Sequence, residues 1–477
     1  MVWNISRWNR NILVSIIKNN TNIFIDFQGG VVINRIYKHE NTVKKAVQDS
    51  VQKIDKGDVV GQVSYSQSLA FDFDKLHSID DVSYSAVYCR LFDDGKVGNA
   101  CVNNPDHTDI MIKNAKESAI FGESLDIELP DNNNYNTINW LYSDKNIQYN
   151  KSELKDISGE LLSEIKKFAP QAKVSTGAQN NCSQLFLNNT SGFVGEYETS
   201  SLSIYGGLFE LADDESFLEM YESQTFYDDN YDFTFILTEL KQRLERSRQA
   251  SVLKKTGKMP VIFAPSSVDM LLSPIEIAVN GKTLYKELSL FANRVDEQMF
   301  DKKFTFIDDP YYHYGGASAP FDDEGTIGAK LNIIEKGIFK NFIYDCTIAK
   351  KMNTKTTGHA SRSSLALPTP ALSNRILGIG DSSLEEMIAS VDYGLMLIMS
   401  LGEGQSNMMA GDFSVLAETA YLIENGQLKG KVKDIMLSGN VFELLKNIPM
   451  LENKIHKENS LFTPHILLDG VMISKNI

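Results

Sequence analysis

The sequence predicts an α+β protein whose first half is an antiparallel sheet with packed helices and whose second half is mostly antiparallel β, barrel- or sandwich-like. Three observations carry this reading. Strands of period two alternate with stretches of helical period up to about residue 253, whereas strands with glycine turns and few helices follow residue 259. The segment Lys254–Lys258 before Met259-Pro260 marks the change, and 477 residues exceed what one hydrophobic core usually serves. Two domains are therefore expected, 1–255 and 256–477.

In order, residues 1–20 read as a first packed helix, because the apolar run from Ile12 to Ile17 is too short for a signal peptide or a membrane span. Residues 21–38 alternate around Gly29-Gly30 as a hairpin, and 42–54 form a helix with Asn41 as its N-cap. Strands at 59–73 and 82–92 precede a turn at Asp93-Asp94-Gly95. A helix follows at 106–120, capped by Asp106 or Thr108. The Asn-rich stretch 130–150 is a loop. The helix at 151–168 has an apolar face from Leu154 through Ile157, Leu161 and Ile165 to Phe168. A meander over 172–210, with turns at Asn188-Asn189 and Gly206-Gly207, leads to a helix at 231–253. The repeated outline of meander and helix hints at an old duplication. In the second half, short helices are expected near 273–279, 284–294, 382–390 and 441–446, and Asn425-Gly426 suits a type I′ turn.

Composition narrows the function. Apolar residues make up 42% and charged residues 23%, as in an ordinary soluble globular protein. The net charge of −15 argues against direct nucleic-acid binding, which rests on neutralising phosphates with Lys and Arg. Cys89, Cys101, Cys182 and Cys346 form no CxxC pair and read as buried, reduced cysteines of a cytoplasmic protein. No membrane segment is expected.

An ordered set of segments resembles the TldD/PmbA peptidase family, some of whose members are described as modulators of DNA gyrase. The set comprises MPVIFAPSSVDMLL (259–272), FIDDP (306–310), APFDDEGT (319–326), IIEKGIFKNFIYD (333–345), TTGHASR (356–362) and PTPALSNRILGIGDSSLEEMI (368–387). The stretch 407–448, with GDFS, IENG and SGN, is the most specific, and RLFDDGKVGNA (90–100) extends the match into the first half. The resemblance implies a zinc motif, HExxxH, on the helix after the VIFAP-like strand, with a cysteine near the C-terminus completing the ligands. Here Ser273, Pro274 and Ala278 stand at the motif's positions, and no cysteine follows Cys346. The chain thus resembles the PmbA/TldE-like member without the motif. That implies no bound metal or other cofactor, no catalytic residue of its own, and a supporting role with unfolded peptides as substrate. The partner would be a second copy or a HExxxH-bearing TldD-like paralogue.

Locally, Ser273-Pro274-Ile275-Glu276 reads as a capping box at a helix start. His313, Asp322, Asp323, Glu324 and His359 are candidate cleft residues, with Asp308 and Asp309 nearby in sequence. They suit a cation or acid–base pairs, and equally acidic turns at strand ends. Gly411 and Asp412 lie in a glycine-rich loop that lacks the Lys-Ser/Thr of a phosphate cradle, and the resemblance places that loop at the cleft. His465, in the run 461–473, reads as structural or interfacial. Two alternatives stay open: an independent hydrolase built on these carboxylates and histidines, and a peptide-binding or regulatory module without hydrolysis.

Overall fold

The computed structural model describes residues 31–475 apart from 212–216, 229, 364–366 and 403–405, with side chains from residue 40 onward. The expected first helix and the Gly29-Gly30 turn lie outside the described residues. Residues 31–38, expected in a hairpin, instead open helix α1 (Val31–Val51), and Asn41 sits inside it and not at its cap. Alternation over so short a run does not exclude a helix. The stripe Val43, Ala46, Val47, buried against the sheet, sets the helical period.

Two blocks of the same outline follow. The first contains β1 (Gly57–Asp72), β2 (Lys75–Asp93), β3 (Lys96–Val102) and α2 (Thr108–Ala119). The short α3 (Asp144–Gln148) interrupts the Asn-rich loop. The second contains α4 (Lys151–Phe168), β4 (Lys173–Asn189), β5 (Val194–Leu211), β6 (Phe217–Phe226) and α5 (Thr234–Ser247). The strands make one six-stranded antiparallel sheet in the order β3-β2-β1-β4-β5-β6. Each half of the sheet is thus a three-stranded meander that starts at the centre, runs outward and is followed by a helix. Helices α1 and α2 pack on one half, and α4 and α5 on the other.

Local chemistry explains most boundaries. Asp94 (φ 47°) and Gly95 (φ 73°) take the left-handed conformations of the expected β2–β3 turn. Asn150 and Glu153 form the capping box of α4. Ahead of α2 a single 3-10 turn, Pro105–His107, is capped by Asn104, whose side-chain oxygen accepts the Asp106 amide at 3.0 Å, and α2 itself takes no side-chain cap from Asp106 or Thr108. Gly206-Gly207 is no turn but the interior of β5. A Cβ at Gly207 would lie 2.3 Å from the Tyr221 ring, and one at Gly206 would lie 3.0 Å from Ile165 of α4. These glycines make room for neighbours.

In the second half, β7 (Gly257–Phe263) leads into α6 (Pro265–Val279). The seven-stranded sheet also contains β14 (Tyr393–Leu401), β15 (Asp412–Glu424), β16 (Gln427–Val432), β17 (Ile435–Asn440), β18 (Met450–Leu451) and β21 (Ile466–Lys475). Because β14 pairs with both β7 and β15, the ring β14-β7-β21-β17-β15 closes into a barrel-like sheet. Alternation divides its strands between two cores. Val261, Phe263, Leu395 and Leu397 pack with α6, while Ile262, Met396, Ile398 and Ile423 face the helix Leu384–Ala389 through Met387. Parallel pairing occurs between β14 and β7 within an otherwise antiparallel ring.

A second sheet, β10-β9-β8-β13-β20-β19, is built from short strands: β8 (Phe306–Asp308), β9 (Leu331–Glu335), β10 (Ile338–Phe339), β13 (Arg375–Leu377), β19 (His456–Glu458) and β20 (Leu461–Thr463). A two-stranded pair joins β11 (Ala360–Ser361) to β12 (Thr369–Pro370). The expected helix at 284–294 shrinks to α7 (Gly281–Tyr285), because Glu287 (φ 59°) and Asn293 (φ 60°) turn left-handed. Short helices α8 (Cys346–Lys351), α9 (Leu384–Ala389) and α10 (Val441–Leu444) complete the half. The Asn425-Gly426 turn forms as expected, with φ of 54° and 68°. No helix among the described residues is long and apolar enough to cross a membrane.

Candidate functional site

Helix α6 occupies the place where the resemblance puts the zinc motif. It begins at Ala264-Pro265, with proline at its first turn, and runs through Pro274. The capping box expected at Ser273 does not form. Ser273 lies mid-helix and its hydroxyl donates to the Asp269 carbonyl at 3.0 Å, one turn back. Burial of Val268, Leu271, Leu272, Ile275 and Val279 explains why the helix forms despite the proline. Glu276 pairs with Arg375 (2.6 Å), which also meets Asp269 (2.5 Å). Burial raises the Glu276 carboxyl, with Arg375 opposing. Ser273, Pro274 and the buried methyl of Ala278 offer neither imidazole nor thiolate, so these residues do not fit the family's zinc. Cys346 is no substitute, since burial drives its thiol strongly upward, away from the thiolate a metal needs.

The segment Asp322-Asp323-Glu324 is drawn into a buried junction between the two halves. Arg90, from β2, donates to Asp58 of β1 at 2.6 Å and to Glu324 at 2.5 Å. Arg362 donates to the other oxygen of Asp58 at 2.5 Å and lies over the Tyr88 ring, 4.7 Å from its centroid. Glu324 also accepts the Cys346 amide (2.7 Å). Asp322 accepts the amides of Glu324, Thr326 and Ala360, and Asp323 accepts that of Arg362. Burial first, and then Glu324 beside it, push the Asp322 carboxyl far above the ordinary range. Burial would raise Glu324 too, but Arg90 and the Cys346 amide hold it down. The buried carboxylates of Asp58 and Glu324 thus each face a guanidinium, with Arg90 bridging the two and Arg362 reaching Asp58. Asp345, the N-cap of α8, is raised to about 7 by burial and then by Glu324. An aromatic cluster of Tyr135, Phe193, Tyr197 and Phe321 adjoins the junction.

His359 is buried and both of its ring nitrogens are engaged. Nε2 meets Asp308 at 3.0 Å, and Nδ1 meets the Thr357 carbonyl at 2.8 Å. Ser373 donates its hydroxyl to the same Asp308 oxygen (2.7 Å). This is a positioned Asp–His pair without a free imidazole nitrogen to act as base. His313 lies elsewhere, in a cleft of about 710 Å³ between the halves, lined by Trp140, Tyr142, Lys145, Tyr227 and Tyr314 among others. Its ring meets Trp140 edge-on at 4.9 Å. The indole Nε1 of Trp140 is buried without a hydrogen-bond partner, and the cleft's lining mixes aromatic rings with polar side chains such as Asp144, Lys145, Gln148 and Asp228.

Gly411 (φ 79°) ends a single turn, and Asp412 pairs with Asn440 at 2.8 Å. Their neighbours Ala410 and Asn440 line a separate cleft of about 280 Å³ beside Phe442. The structure therefore unites Asp322, Asp323 and Glu324, and leaves His313, His359 and the Gly411-Asp412 pair in other surroundings. Sequence reasoning passed over Arg90, Asp58, Arg362 and Trp140. Arg90 had a signal, as a lone charge inside the apolar run AVYCRLF; Trp140 had none in its polar loop. Of the four cysteines, Cys101 is exposed, against expectation.

Residues 256–475 match the family model described as the PmbA/TldA metallopeptidase C-terminal domain. A metalloprotease TldD homolog of Buchnera aphidicola is 32% identical over 208 residues, 43% of either chain. A metalloprotease PmbA homolog of Haemophilus influenzae is 28% identical over 221 residues, 46% of this chain and 47% of the relative. The matched region spans about half the length of these curated relatives. The solved structure of TldE from Thermococcus kodakarensis superposes with a TM-score of 0.80 at 23% identity, covering 91% of this chain and all of that one. A candidate modulator of a DNA gyrase from Thermotoga maritima gives 0.81 at 18% identity, covering 91% of this chain and 100% of the other. These two likenesses establish the fold.

Proposed function

Because this chain belongs to the metallopeptidase-like PmbA/TldD family, we propose that it serves as the subunit lacking the zinc motif, binding unfolded peptide for a HExxxH-bearing TldD-like paralogue. The observation that carries the reading is the chemistry of α6. Ser273, Pro274 and Ala278 remove every imidazole and the general base that the motif would supply, while the helix itself is kept and buried. A buried helix at that place without the motif's chemistry suits a positioning role.

The cleft around His313 is the proposed peptide seat. The rings of Trp140, Tyr142, Tyr227 and Tyr314 accept apolar side chains with little conformational cost, and Asp144, Lys145, Gln148 and Asp228 offer partners to a peptide's polar groups. The acidic balance of the chain makes any effect on DNA gyrase an indirect one, through proteolysis of other factors.

The test is cleavage of an unstructured peptide by this chain, by a zinc-loaded HExxxH paralogue and by their mixture. The mixture is expected to exceed the sum of the two, with this chain alone inactive. Replacing Trp140 by Ala should raise the KM of the mixture several-fold with kcat little changed, as expected for lost binding. No gain on mixing would sink the proposal, and cleavage by this chain alone would favour the independent hydrolase.

A further inference from the structure

Outside the junction and the cleft, three side chains with metal-binding chemistry converge. We propose that Glu452, His456 and His465 form a site for one divalent transition-metal ion of the zinc class, separate from the positions of the lost HExxxH motif. A single carboxylate oxygen of Glu452 lies 2.8 Å from His456 Nε2 and 2.6 Å from His465 Nδ1. The ligand atoms of all three residues fall within 4.8 Å of one another. The two rings meet edge to face, at 87° with centroids 5.0 Å apart.

The backbone fixes this convergence. Leu451 of β18 pairs with Ile466 of β21, and the Glu452 amide donates to the His465 carbonyl at 3.1 Å. The Gly380 amide holds the Glu452 carbonyl from the other side (2.8 Å). His456 opens β19, opposite Thr463 of β20, two residues before His465. His456 thus opens a paired strand, and Glu452 and His465 adjoin the paired strands β18 and β21 and are tied to each other by a backbone hydrogen bond, which is what a preorganised site requires.

Two histidines and a glutamate are the donor set of open zinc sites, and imidazole with carboxylate selects zinc-class ions over calcium or magnesium. Bonds of about 2.0–2.1 Å in a tetrahedron place ligand atoms about 3.3 Å apart, so each group must withdraw by roughly half an ångström. His456 has the freedom to do so: its side chain is 22% exposed, against 8% for His465 and 6% for Glu452. Neutral imidazole presents a lone pair at the inward nitrogen once its proton sits on the outer one. The exposed side leaves the fourth position to water.

The experiment uses the full chain, stripped with chelator and titrated with zinc chloride by calorimetry and with cobalt chloride by absorption. One ion per chain is expected, with the visible bands of tetrahedral cobalt. His456→Ala should weaken zinc binding at least about 10-fold, since losing a ligand costs no less than losing a residue that merely orients one. His456→Gln, measured beside it, should behave alike while melting at the wild-type temperature in chelator. Absent saturable binding by the wild-type chain, or binding by both variants as tight as that of the wild-type chain, overturns the site and leaves a carboxylate hydrogen-bonded to two imidazoles. Because the readout is binding, this result is independent of whether peptide cleavage rises on mixing with a paralogue.

Discussion

Arg90 is the residue on which most of the buried charge depends. Its side chain is 1% exposed and bridges two carboxylates that are fully buried. Arg90→Met would leave Asp58 and Glu324 short of a partner in a low-dielectric setting, at a cost of about 3–5 kcal/mol. Urea denaturation checks this, and a loss below about 1 kcal/mol would mean that water reaches the junction. The same cluster sets a pH dependence. The carboxyls of Asp345 and Asp322 are raised in the folded protein, to about 7 and about 8. The folded state therefore holds protons that the unfolded chain releases near pH 4. The stabilisation is complete below about pH 4 and is lost as pH rises through 7 to 8. Melting temperature should fall between pH 5 and pH 8; a flat or rising profile contradicts the protonated junction.

Among the elements, β5 and α6 show how local patterns mislead. Two adjacent glycines in a meander ordinarily mean a turn. In β5 they are strand residues whose missing side chains admit Tyr221 and Ile165. Gly207→Ala should therefore destabilise by about 1–3 kcal/mol through overpacking, measured by thermal unfolding, whereas a turn position would tolerate alanine far better. In α6, Ser-Pro-x-Glu has the spacing of a cap, yet the helix starts at Pro265. Burial of its apolar residues outweighs the break at Pro274. The capping boxes that did form, Asn150 with Glu153 and Ser383 with Glu386, stand where the chain enters a helix from an extended residue.

For the molecule as a whole, the question is what joins the two halves. Phe321, from the second half, packs edge-on against Phe193 at 5.1 Å, Tyr197 at 5.3 Å and Tyr135 at 4.9 Å, all from the first. Phe321→Ala should cost about 3–5 kcal/mol. If this contact couples the halves, the variant should also melt in two steps, seen by calorimetry; a single unchanged transition would place the coupling in the other contacts between them, such as the Arg90 junction and the backbone bonds of Gln249 and Ser251 to Lys431.

The sequence by itself determined the fold class, the order of most elements, the hairpin turns at Asp94-Gly95 and Asn425-Gly426, and the absence of HExxxH chemistry from its expected helix. These rest on local rules: side-chain period, left-handed turn residues, and the identity of the ligands a motif requires. The acidic segment Asp322–Glu324 was legible as chemistry, but not as one side of a junction with Arg90, 234 positions away from Glu324. Nor could spacing alone bring Glu452 to His465, although the interval from Glu452 to His456 is visible in the chain. Such groupings depend on which strands pair and in what register. Closure of the ring through β14 and the pairing of β18 with β21 are long-range choices, set by burying both faces of the sheet and not by any local signal.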